Sequence, residues 1–122
     1  MIPKILLAGA LSAISLLAAN PKVTAANAQL KEGKFEQAIA ALEAEHKANP
    51  KDAEVKTALA GAHLAYGESL MHNPQMPPFR KYPGALRQFR QVLTYDANNK
   101  KAKDNIALIE GIYKSMGREV PQ

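Results

Sequence analysis

The chain places apolar and polar residues in the pattern of amphipathic helices. Four separate stretches carry apolar side chains three or four positions apart, a spacing that puts them on one face of a helix. A shorter, alanine-rich segment from Lys22 to Glu32 predicts a fifth helix, and no stretch shows the alternation of a strand. The pattern therefore predicts an all-α domain of about five helices. The four longer stretches are Phe35 to His46, Val55 to Leu70, Tyr82 to Leu93 and Ala102 to Met116.

Residues typical of helix ends separate these stretches. Gly33 and Gly117 follow helical segments and suit the left-handed conformation that closes a helix. Asp52, and either Asn98 or Asn99, precede helical segments and suit the N-cap position, where a side-chain oxygen accepts from a free backbone N–H. These residues predict where the helices begin and end.

The N-terminal segment has the order of a secretory signal. Lys4 precedes an uninterrupted run of 15 apolar or small residues, Ile5 to Ala19. The triplet Val23-Thr24-Ala25 then offers small residues for a signal peptidase. We predict a signal peptide over residues 1–25, cleavage after Ala25, and export to the periplasm of a bacterium. A cut after Ala19 would instead place Leu17 in a pocket that prefers a small residue.

The alternative is an uncleaved membrane anchor. A spanning helix needs about 20 apolar residues, and the run falls short of that length. After cleavage no apolar segment of the remaining chain is long enough to span a membrane. The chain is then one small domain, residues 26–122.

An internal repeat organises this domain. Lys34-Phe35-Glu36-Gln37-Ala38-Ile39 is similar to Lys81-Tyr82-Pro83-Gly84-Ala85-Leu86, 47 residues later. Gly33 and Gly67 are only 34 residues apart. A period of 34 followed by a 13-residue insertion, 68–80, explains the longer separation.

On these residues the chain resembles a tetratricopeptide repeat protein. The resemblance covers about residues 22 to 117, with Lys56 where the family often has Trp and Ala97 where a Pro usually closes the repeat. It implies a short solenoid of helical hairpins: two repeats, the insertion between the helices of the second, and a capping helix over residues 98–117. The matching residues are Gly33, Lys34, Phe35, Ala38, Leu42 and Pro50 in the first copy, and Leu59, Ala60, Gly67, Tyr82, Ala85, Phe89 and Val92 in the second.

The resemblance also implies a groove that holds a protein or peptide. The Lys and Asn set that binds a peptide carboxylate in some family members is incomplete here, so we expect no specificity for a C-terminal tail. The positions that match groove-facing places are Asn27, Leu30, Lys31, Thr57, Gly61, Leu64, Lys101, Asp104 and Leu108.

Charge is distributed unevenly along the chain. The formal net charge is +5, and residues 80–122 carry nine basic and four acidic residues. This excess predicts an acidic protein partner or an anionic membrane surface, the alternative being a solvated basic face. Nucleic acid is not expected for an exported chain with few aromatic residues to stack bases. The basic residues are chiefly Arg80, Lys81, Arg87, Arg90, Lys100, Lys101 and Lys103.

The sequence offers little catalytic chemistry. The absence of cysteine excludes disulfides, thiolate metal sites and a cysteine nucleophile. No zinc-helix histidine pair, phosphate-binding glycine loop or nucleophile elbow is present. Met71, His72 and Met76 form a weak candidate for a Cu(I) site, although a structural role for this proline-rich segment explains them better. We therefore predict no catalytic residues and no cofactor.

These observations predict a non-enzymatic adaptor or scaffold of the bacterial cell envelope that binds a protein or peptide in its groove. Two alternatives remain open. The chain could be a structural subunit stabilised within a larger envelope complex. It could also be a periplasmic metal-handling protein that uses the methionines of the insertion.

Overall fold

The computed structural model describes residues 20–122, which form five α-helices. The all-α prediction of about five helices is confirmed, whereas residues 1–19 of the predicted signal peptide lie outside the described residues. Within 20–122, no helix has both the length and the hydropathy needed to cross a bilayer. The helices are α1 (Pro21–Lys31), α2 (Phe35–Ala48), α3 (Ala53–Met71), α4 (Pro78–Tyr95) and α5 (Lys100–Ser115).

The predicted helix ends are confirmed. Gly33 and Gly117 have φ angles of 79° and 67°, in the left-handed region that glycine adopts without steric cost. The Asp52 carboxylate accepts from the backbone N–H groups of Glu54 and Val55 at 2.9 and 3.3 Å. Asn99, rather than Asn98, caps α5 by accepting from the backbone N–H of Ala102.

The helices pack in chain order. Each helix contacts the next one along the chain, and α1 also contacts α3. The connection between α2 and α3 spans only residues 49–52, which brings consecutive helices back against each other. The contact between α3 and α4 is the most extensive of these. Helix α3 is therefore the central element of the domain.

Two hydrophobic clusters form the core. The N-terminal cluster lies among α1, α2 and α3, and the C-terminal cluster lies among α3, α4 and α5. Tyr95, at the end of α4, packs against both. The N-terminal cluster comprises Val23, Ala26, Ala38, Ile39, Leu42, Val55, Leu59 and Ala62. The C-terminal cluster comprises Ala60, Met71, Ala85, Leu86, Phe89, Val92, Ala102, Ile109 and Tyr113.

Small residues allow the helices to approach closely. Ala38 and Ala85, which match between the two copies of the predicted repeat, are completely buried. Gly67 of α3 faces the ring of Phe89, and a Cβ atom at Gly67 would lie 2.7 Å from Phe89 Cε1. Only glycine fits this contact without displacing the ring.

Seven of the 13 residues of the predicted insertion 68–80 are helical. Residues 68–71 complete α3 and residues 78–80 begin α4, so only residues 72–77 connect the two helices. Pro78 occupies the first turn of α4, where a missing backbone N–H costs no hydrogen bond. Residues 68–71 and 78–80 therefore belong to two helices that pack against each other.

Candidate functional site

A depression of about 640 Å³ lies between α1 and α3. We call it the α1–α3 groove. Its lining side chains recur three or four positions apart on each helix, so one face of α1 and one face of α3 form its walls. The lining residues are Val23, Asn27 and Leu30 from α1, and Ala53, Glu54, Thr57, Ala58 and Gly61 from α3.

Gly61 gives the groove open space next to the backbone of α3. No atom lies within 4 Å of the position that a Cβ would occupy there, so packing within the domain does not require glycine. A glycine inside a helix costs about 0.5–1 kcal/mol relative to alanine. Gly111 of α5 is equally open, whereas Gly67 is required by its contact with Phe89.

A second depression of about 380 Å³ adjoins the groove along α3. Thr57 and Gly61 line both, so the accessible surface extends from α1 across α3 to the connection between α4 and α5. Tyr95 and Asn99 contribute to its far side. The two depressions together form a longer accessible surface than either depression alone.

The groove contains four of the predicted binding residues: Asn27, Leu30, Thr57 and Gly61. The remaining five line neither depression. Leu64 packs against the C-terminal cluster, and Lys31 is exposed at the end of α1. Lys101, Asp104 and Leu108 are exposed on α5, and the Leu108 side chain is 52% exposed.

Several lining residues were not predicted. Val23 belongs to the segment that the sequence pattern assigns to the signal peptide. Because of that assignment, Val23 was not predicted to be part of the folded domain. Ala53, Glu54 and Ala58 share a face of α3 with Thr57 and Gly61, and their helical spacing is the signal that could have identified them. Tyr95 lies far from them in sequence, and only the packing of α4 against α3 brings it close.

Among residues 20–122, Glu54 is the only charged residue that lines the groove. Its Oε1 atom accepts from the backbone N–H of Asn20 at 3.0 Å, just before α1 begins. The groove is therefore apolar and uncharged along most of its length and acidic near Glu54.

Tyr95 lies between two histidine rings. His63 stacks on it with the centroids 5.9 Å apart, and His46 meets it edge-on at 5.4 Å. His63 Nδ1 lies 2.7 Å from Gln88 Oε1, within hydrogen-bond distance. Burial raises the pKa of the Tyr95 hydroxyl above its ordinary value of 10.0, and the charge of Glu43 raises it further. These rings connect the two clusters by packing.

The predicted basic residues lie on α4 and α5. Arg80 and Arg87 are exposed and seven positions apart, which places them on one side of α4. Lys81 Nζ lies 5.5 Å from the centroid of the Tyr82 ring. Lys100 Nζ donates to Asp104 Oδ2 at 2.7 Å, and this hydrogen bond, with the attraction between the charges, raises the pKa of Lys100.

Most of these basic side chains form no ion pair with an acidic residue of the described segment 20–122. Over residues 20–122, the ion pairs are Lys34 with Glu32 and Lys100 with Asp104. Lys101 and Lys103 are exposed on α5 and take part in neither pair. Both lysines therefore present their charge to solvent.

The weak metal candidate is divided between the core and the surface. Met71 is buried in the C-terminal cluster, and His72 is exposed at the end of α3. Met76 is half-buried in the connection that follows. Packing thus accounts for Met71.

Comparison of the chain with protein-family models, curated proteins and solved structures gives no match. The resemblance to tetratricopeptide repeat proteins therefore stays a prediction from the sequence.

Proposed function

We propose that the protein is an exported, non-enzymatic adaptor of the bacterial cell envelope, similar to tetratricopeptide repeat proteins, that binds an extended peptide segment of a partner protein in the α1–α3 groove. The observation that carries the proposal is the groove itself. It brings together four residues that the resemblance assigns to binding, around a helix glycine that packing within the domain does not require.

The chemistry of the groove suits a peptide. Leu30 and Ala58 are partly exposed and provide apolar surface for a partner side chain, beside the largely buried Val23. The Asn27 amide and the Thr57 hydroxyl can donate to and accept from a peptide backbone. Gly61 lets that backbone approach α3 without steric conflict.

The experiment uses two matched variants. Gly61→Phe fills the groove, whereas Gly111→Phe adds the same side chain at an equally open helix position outside it. We expect peptides selected from a random library on the native protein to lose at least tenfold in affinity for Gly61→Phe and to keep their affinity for Gly111→Phe. Equal binding to all three proteins, measured by fluorescence anisotropy, would place the binding surface elsewhere.

The basic side chains on α5 add a preference for an acidic partner. Long-range attraction speeds association, and salt screens it beyond about 10 Å at 0.1 M ionic strength. Reversing Lys101 and Lys103 to Glu should therefore slow association with a captured partner and weaken its dependence on salt. Surface-based binding kinetics measure both effects. If the association rate changes neither with salt nor with charge reversal, these lysines do not steer a partner and serve only solubility.

Exposed apolar residues favour a second candidate, a structural subunit of a larger envelope complex. The Phe79 and Met116 side chains are 71% and 53% exposed and line a depression of about 400 Å³ at the C-terminal end of the domain. A fixed partner that covers this surface should co-purify with the native protein and be lost from Phe79→Ser. Retention of the partner by Phe79→Ser, together with its loss from Gly61→Phe, would favour the adaptor.

A further inference from the structure

Helix α1 crosses the boundary that the sequence pattern assigns to signal cleavage. It runs from Pro21 to Lys31 and buries Val23 and Ala26, which are 6% and 0% exposed. A cut after Ala25 would leave only residues 26–31 of this helix, and an isolated segment that short does not pay the cost of helix nucleation. It would also remove Val23 from the N-terminal cluster and from the groove.

Asn20 anchors the start of α1 through its side chain and its backbone. Its Oδ1 accepts from the backbone N–H of Lys22 at 2.8 Å, which caps the helix. Its Nδ2 donates to Glu45 Oε2 at 3.2 Å and to Asp52 Oδ2 at 3.3 Å. Its backbone N–H donates to Glu54. These bonds connect α1 to α2 and to the beginning of α3.

The apolar run from Ile5 to Ala19 ends immediately before this anchor. We propose that an export signal peptidase cleaves between Ala19 and Asn20, so that the mature chain starts at the N-cap of α1. Water adds to the Ala19 carbonyl carbon and the bond to the Asn20 nitrogen breaks, leaving a carboxylate on Ala19 and an ammonium on Asn20. The inference rests on the export component of the proposed function.

The structure suits the product of this cleavage. Once released, the nitrogen that lies 3.0 Å from Glu54 Oε1 carries a positive charge, and hydrogen bonds between oppositely charged groups are stronger than neutral ones. Leu17 makes the site a poorer match to a peptidase pocket that prefers small residues. That mismatch slows cleavage, whereas a cut after Ala25 deprives the folded domain of its helix cap and of Val23.

The test is the N-terminus of the full chain after expression in an export-competent bacterium. Intact-mass analysis and N-terminal sequencing of the periplasmic fraction should give Asn20 as the first residue. A chain that begins at Ala26 would overturn this cleavage site and leave export intact. A chain that begins at Met1 would overturn export as well.

Two matched substitutions sharpen the test. Ala19→Phe puts a bulky residue directly before the proposed cut, and Ala25→Phe does so at the alternative site, on an exposed position of α1. We expect Ala19→Phe to lose most of the product that begins at Asn20, with uncut chain accumulating, and Ala25→Phe to yield the native N-terminus. The proposal would be overturned if Ala19→Phe still gave the product that begins at Asn20, or if Ala25→Phe no longer gave it.

Discussion

The two clusters of the core differ in how they are filled. The buried residues of the N-terminal cluster are all aliphatic, and the rings packed against it, Tyr66 and Tyr95, are only partly buried. The C-terminal cluster is built around Phe89, which is completely buried, with Tyr113 and Met71 beside it. The N-terminal half carries the α1–α3 groove, and the C-terminal half carries the excess of basic over acidic residues. The half with the buried aromatic rings thus has the excess of basic residues, and the half with smaller buried side chains has the groove.

Helix α3 is common to both clusters, which has a consequence for stability. Leu59 and Ala62 belong to the N-terminal cluster, while Ala60 and Met71 of the same helix belong to the C-terminal one. If one cluster no longer holds α3 in place, the other cluster loses its contacts with α3 as well. We therefore expect the halves to unfold together despite their different composition.

The largest effect should follow Phe89→Ala. Removing a completely buried ring leaves a cavity and should lower the free energy of unfolding by about 3–5 kcal/mol. Because α3 is shared, native-state hydrogen exchange should show lower protection in α2 as well as in α4. Leu42→Ala in the other cluster is the reciprocal control and should cost about 2–5 kcal/mol. Unchanged protection in α2 upon Phe89→Ala would mean that the halves unfold separately.

Replacing two glycines of α3 by alanine should change the free energy of unfolding in opposite directions. Gly67→Ala places a Cβ 2.7 Å from the buried Phe89 ring and should cost about 1–3 kcal/mol through overpacking. Gly61→Ala meets no atom within 4 Å and should stabilise the helix by about 0.5–1 kcal/mol. Urea titration of both variants measures the difference. The same sign at both positions would show that the contact with Phe89 does not determine the response.

Tyr66→Phe should have a smaller, pH-dependent effect in the N-terminal half. The Tyr66 hydroxyl donates to Glu36 Oε1 at 2.8 Å, while its ring stacks on Phe35. Losing this hydrogen bond should cost about 0.5–1.5 kcal/mol at neutral pH.

The pH dependence follows from the direction of the shift. Burial, then the hydrogen bond and charge of Glu36, raise the pKa of Tyr66 above its ordinary value of 10.0. A raised pKa contributes stability that is complete below pH 10 and is lost as the pH rises through the folded-state value. The difference between the native protein and Tyr66→Phe should therefore shrink above about pH 10, in urea titrations across that range. A difference that stays constant with pH would contradict this assignment.

The smallest effect should follow Asp104→Asn in the C-terminal half. The pair that Asp104 forms with Lys100 is solvent-exposed on both sides, and exposed pairs contribute little to stability. We expect the denaturation midpoint to stay unchanged within error at low and at high salt. A clear, salt-sensitive loss would show that the charges of this half support its fold.

Helical spacing in the sequence was sufficient to predict much of the fold. Apolar residues three and four apart predicted the four longer helices, and local chemistry predicted the caps at Gly33, Asp52 and Gly117. These features depend on neighbours in the chain, since a cap or a helix face is set within a few residues. The resemblance, rather than helical spacing, assigned Asn27, Leu30, Thr57 and Gly61 to a groove, together with five residues that line neither depression.

Tertiary packing decided what local patterns could not. Val23 follows an apolar run and reads as part of a signal, yet its contacts with α2 and α3 place it in the core. Gly61 and Gly67 are six positions apart in one helix and are chemically identical in the sequence. One faces open space and the other the Phe89 ring, because only the position of α4 against α3 determines which side of α3 is filled.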